Sequence, residues 1–131
     1  MKSAVFACVF GLVATAAAAD PVDGIWKTAE GDDGGYLHVQ LEPCGSAICG
    51  VINTAFDGNG NMSPDYENLG KKMLWDMVPE GNGAYGGGKI WAPDRNKTYG
   101  GKMQLSGSTL EVKGCVAGGV ICRGQKWTRV K

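Results

Sequence analysis

Glycines cluster along this chain at Gly31 to Gly35, Gly58 to Gly60, Gly81 to Gly88, Gly100-Gly101 and Gly118-Gly119. From residue 20 onward they interrupt every apolar stretch before it reaches helical length, which restricts that part of the chain to short strands joined by turns. Trp, Tyr, Ile, Val and Leu recur between the glycines, which gives the strands something to bury and argues against a disordered glycine-rich chain. The expected class is all-β.

Eight strands can be placed, at about 23–29, 35–42, 46–54, 72–78, 84–92, 97–105, 108–115 and 120–130. In the second, Leu37, Val39 and Leu41 alternate with Tyr36, His38 and Gln40, so one face is apolar. The fourth alternates imperfectly, because Leu74 and Val78 share a face with Lys72 and Asp76. Ser106-Gly107 predicts a tight hairpin turn. Every connection but the one from Asp57 to Gly70 is short, so successive strands should pair as an antiparallel meander. Eight such strands can close on themselves, leaving an interior wide enough for side chains or one small ligand.

Ahead of these strands the chain reads as a leader. Lys2 precedes an uncharged run from Ala4 to Ala18, and Ala17-Ala18-Ala19 stands before Asp20, the order of a cleavable secretory signal. The run is shorter than the roughly twenty residues needed to span a bilayer. Residues 1–19 are therefore expected to be removed, leaving a single domain over 20–131 that is periplasmic or secreted. Cys8 lies inside the leader without the surroundings of a lipidation site. The remaining domain carries nearly balanced charge, which offers no footprint for nucleic acid, and no second apolar run predicts membrane insertion.

Cys44, Cys49, Cys115 and Cys122 remain after cleavage. An even number in a small exported domain reads as two disulfides, with three possible connectivities, and the spacing favours Cys44 with Cys49 and Cys115 with Cys122. Short loops of this kind are worth roughly 2 to 2.5 kcal/mol each in the chain-entropy treatment. A zinc site would want closer cysteine spacing and a histidine nearby, and His38 stands alone, so no metal is assigned.

Gly24-x-Trp26 on the first strand, with an Arg near the chain end, resembles the sparse signature of calycins, the lipocalin-like barrels. There the Trp seals the barrel floor and an Arg lies across its indole, a cation over an aromatic face. Arg129 is the first choice for that Arg and Arg123 the second, since both share a strand face with Trp127. DGIWKT (23–28), LEPCGSAICGVI (41–52), GGGKIWAPDRNKTYGGKMQL (86–105), LEVKGC (110–115) and CRGQKWTRV (122–130) resemble, in that order, a bacterial exported family known as domain of unknown function 2147. The resemblance implies an eight-stranded up-and-down lipocalin-like barrel and an exported protein. It brings no catalytic residues, and the Asp57–Gly70 loop departs from the family pattern.

In such a barrel the mouth is walled by the longest loop, which points to Phe56, Tyr66, Met73 and Trp75 as lining for a ligand, with Trp91 from the same aromatic set and Lys89 as an anchor for an acidic head group. Core filling by those side chains is the competing reading. The 57–68 segment places Asp57, Asn59, Asn61 and Asp65 at calcium-loop positions, but Met62 and Asn68 stand where a glycine and a bidentate Glu are required. His38 has no nucleophile to serve, so no catalysis is expected and no cofactor is assigned. The expected function is binding of a small apolar or amphipathic molecule; the alternative is a filled barrel that binds an envelope protein partner.

Overall fold

The computed structural model describes residues 20–131; the expected leader, its cleavage point and Cys8 lie outside that range. The alternating runs form β1 (Gly24–Lys27), β2 (Tyr36–Cys44), β3 (Ala47–Phe56), β4 (Lys72–Gly81), β5 (Ala84–Ala92), β6 (Lys97–Ser106), β7 (Thr109–Val116) and β8 (Ile121–Arg129). Each pairs antiparallel with the next, and β8 returns to β1 through Trp26↔Arg129 and Lys27↔Thr128, closing the barrel. Closure gives every strand a neighbour on both sides, although short β1 covers only the last part of β8. The predicted hairpin closes between paired Ser106 and Thr109, with Gly107 at φ 62° in the turn.

Inward positions fill the lower barrel with Trp26, Leu41, Ile52, Leu74, Met77, Leu110 and Trp127, all essentially inaccessible to solvent. A barrel this narrow cannot take a side chain everywhere. At Gly101 an added Cβ would lie 2.2 Å from Met77 Cε, so the glycine makes room for the methionine.

The structure corrects the face assigned to Val78. Asp76 adopts φ 56°, and the β3–β4 register slips between Ile48↔Met77 and Gly50↔Leu74. That extra residue is a bulge, which resets the alternation. Met77 therefore joins Leu74 inside, while Val78 is exposed. A further slip, between Gly50↔Leu74 and Val51↔Lys72, lets adjacent Met73 and Leu74 both be buried.

The four cysteines pair locally, Cys44–Cys49 with an S–S distance of 2.04 Å and Cys115–Cys122 with 2.07 Å. The first clasps the β2–β3 hairpin and the second joins directly opposed residues of β7 and β8.

The end of the barrel that holds Asp20 and Lys131 is plugged. Asp20–Asp23 makes a turn closed by the Asp23 N–H on the Asp20 carbonyl at 2.9 Å, and Val22 is driven wholly into the core. The Val22 carbonyl accepts the Trp26 Nε1–H at 2.9 Å. Arg129 stands 4.4 Å over the Trp26 ring and donates to the Asp23 and Pro21 carbonyls. Gly24 has φ 136°, and a Cβ there would meet the Lys131 carbonyl oxygen at 2.3 Å, so only glycine lets the last residue pass this closely.

Candidate functional site

With one end plugged, the opposite end is left to the four loops that connect β1 to β2, β3 to β4, β5 to β6 and β7 to β8. The longest, between Phe56 and Lys72, is held down rather than splayed. Ser63 N–H donates to the Ala55 carbonyl, Gly70 N–H to Ile52, and Ile52 N–H to Lys71. Buried Asn68 donates to Tyr66 Oη at 3.2 Å and accepts from Lys71 Nζ at 2.9 Å. These bonds press Tyr66 and Leu69 onto the core. Asp57 Oδ1 accepts the Asn59 and Asn61 N–H groups, the ordinary work of a turn-forming carboxylate.

Two cavities open at this end. The first measures about 330 Å³ and reaches into the barrel. Its base is Met73, Ile90, Tyr99 and Val112, and its rim carries Trp91, Asp94, Arg95, Arg123 and Gln125, with Val116 and Ile121 from the β7–β8 hairpin. Arg123 lies on the inward face of β8, four residue pairs along from Trp127, opposite Gly114 of β7. Among the described residues, neither Arg95 nor Arg123 has a carboxylate within 4 Å. The second cavity, about 540 Å³, is a wider cleft over the long loop, bordered by Phe56, Tyr66 and Met73 together with Glu30, Asp33, Asp57 and Glu67. Met73, Pro93, Asp94 and Gln125 border both.

The predicted lining residues are thus divided. Met73 and Trp91 line the inner cavity, and Phe56 and Tyr66 border only the outer cleft. Trp91 is steadied by its Nε1–H on Asn96 Oδ1 at 3.0 Å. Trp75 and Lys89 line neither, because they are cross-strand partners beside Leu74 and Ile90, which are buried, and so project from the outer face. Phe56 likewise follows buried Ala55; its ring stacks on Tyr36 at 4.8 Å and lies 4.5 Å from His38, outside the barrel. Lys27 covers the Tyr36 ring at 4.3 Å. Burial, and then the Lys27 charge, hold the His38 pKa below its ordinary value.

Arg123, the second choice for the floor, stands instead at the mouth, while Arg129 takes the place over Trp26. Its face was legible from the alternation of β8, but which end of the strand would be plugged was not. Arg95, in the β5–β6 turn, has no periodicity that could mark it.

A family model described as an uncharacterized protein conserved in bacteria (DUF2147) matches residues 24–129. The chain belongs to this family. The match runs from the glycine under the plug to the arginine over Trp26, so in this DUF2147 chain it spans the whole barrel. The fold is similar to a solved structure, "Protein HP1028 from the human pathogen Helicobacter pylori belongs to the lipocalin family", with a TM-score of 0.64 and 19% identity over 83% of this chain and 82% of that one. At that identity the likeness is one of fold, and this DUF2147 member is a lipocalin-like barrel. Comparison with curated proteins gave no match.

Proposed function

We propose that this protein is an exported binder of a small amphipathic molecule, seated in the inner cavity with its apolar part on Met73, Ile90 and Val112 and an acidic head at Arg123 and Arg95. The observation that carries this reading is the cavity itself. It is of ligand size, apolar at its base, and rimmed by two guanidinium groups with no carboxylate in ion-pairing range among the described residues. Burying the alkyl part supplies affinity at about 0.8 kcal/mol per methylene. The arginines supply orientation, since a guanidinium fork matches a carboxylate or phosphate. Two disulfides and membership of a bacterial family are consistent with export.

Calorimetric titration with octanoate and with octan-1-ol tests the reading. Octanoate is expected to bind about tenfold more tightly, the size of one charge-assisted hydrogen bond. Arg123→Gln should bring octanoate down to the level of octanol and leave octanol unchanged. Equal binding of the two by the parent protein would remove the acidic head from the reading. Binding of neither would remove the ligand.

A second reading, contact with an envelope protein, is favoured by one feature. Val116, Val120 and Ile121 are exposed on the β7–β8 hairpin, Val120 to 82%. Such a cluster of apolar side chains at a loop tip suits a partner surface.

A further inference from the structure

The plug at the closed end begins at Asp20, the residue that would follow the expected leader cleavage. Its backbone nitrogen lies 3.0 Å from Asp23 Oδ2. The other oxygen of that carboxylate, Oδ1, is buried and has no hydrogen-bond partner among the described residues. The Asp20 side chain is itself engaged, with Oδ1 accepting both the Tyr85 hydroxyl and the Val22 N–H. The first residue of the domain is therefore tied at main chain and side chain into the barrel floor, directly ahead of buried Val22.

We propose that Ala19-Asp20 is a proteolytic maturation site whose product, the Asp20 α-ammonium, pairs with the Asp23 carboxylate and completes the floor of the barrel. The cleavage is a hydrolysis by a signal peptidase: water adds across the Ala19–Asp20 amide, its oxygen going to Ala19, which leaves as a carboxylate, and both its protons going to the Asp20 nitrogen, which becomes the ammonium. An amide N–H, which donates one neutral hydrogen bond, becomes an ammonium with three donors and a full charge near neutral pH. A charge-assisted bond is roughly twice as strong as the neutral bond it replaces. Burial already presses the Asp23 carboxyl toward its neutral form, and a cation in contact opposes that. The same four residues brace Trp26 and Arg129, so barrel closure is strengthened by the step that releases the protein from its leader.

The experiment has two parts. Full-length precursor expressed with its leader and recovered from the bacterial periplasm is analysed by intact mass and amino-terminal sequencing, and the expected first residue is Asp20. Thermal unfolding is then compared for chains starting at Asp20 and at Ala18, each with Asp23 or with Asp23→Asn. The Ala18 start should lower the midpoint by about 4 °C with Asp23 in place, and by much less in Asp23→Asn. If Asp23→Asn does not fold, acetylation of the Asp20 α-nitrogen, which removes the charge and keeps one N–H, should give the same fall. A mature chain that starts elsewhere would overturn the proposal. So would a midpoint that is indifferent to the added residues or to the acetyl group, or a loss of equal size with and without Asp23.

Discussion

Trp26→Ala is expected to destabilise the barrel by about 3 to 5 kcal/mol, the range for removing a large aromatic side chain from a core. Three effects converge on this residue. The indole is wholly buried, so its loss leaves a cavity among side chains that cannot collapse far. The Val22 carbonyl loses its donor inside the plug. Arg129 loses the aromatic face beneath its guanidinium and is left with only the two carbonyls. For a domain of this size the thermal midpoint should fall by more than about 10 °C. Binding of octanoate, or of a neutral hydrophobic dye, should survive wherever the variant is still folded, because the inner cavity lies at the other end and Trp26 does not line it. Denaturant unfolding followed by circular dichroism, with titration at low temperature, separates the two properties. A fully stable Trp26→Ala protein that no longer bound would show that the floor and the site had been wrongly divided.

Replacing Cys115 and Cys122 together by serine is expected to cost about 2 to 5 kcal/mol, as loss of a native bridge does in small secreted domains. It should also weaken ligand binding. The bridge ties directly opposed residues of β7 and β8 at the mouth, and the adjoining Val116 and Ile121 belong to the cavity wall. The matching double replacement of Cys44 and Cys49 provides the control, because that bridge clasps the β2–β3 hairpin at the plugged end. It should lose comparable stability and keep its affinity. Urea midpoints and octanoate titrations on both variants decide the matter: equal losses of affinity would mean that the mouth hairpin has no special part in the site.

Much of this architecture is legible in the residues. The eight strands fall where alternating apolar residues lie between glycine clusters, and of the three connectivities open to the cysteines the structure has the local one that their spacing favours. Gly24, Trp26 and an Arg could be read as a set only through the resemblance to the calycins, which put Arg129 ahead of Arg123 without separating them; the structure gives Gly24 its close approach, Trp26 its burial and Arg129 its place over the ring. The lining of the mouth was much less legible. Met73 reaches the cavity through a register slip with β3, and Trp75, two residues on, projects outward. Phe56 finds its partners on the outer face, with Tyr36 and His38.

The sequence alone determined the class of fold and the order and pairing of strands, because each of these rests on local pattern: a period of two, a turn, a short loop. Only the tertiary structure decided which side chains face the cavity and which end of it is open. With a period of two, one extra residue in a strand transfers every later side chain to the other face. The slips on β4 do this between Met73 and Val78, and nothing in the local alternation marks where they fall. The open end is decided in the same way, by where Val22 inserts. That insertion depends on Trp26, Arg129 and Tyr85 meeting at one end of a closed barrel, although they are far apart along the chain.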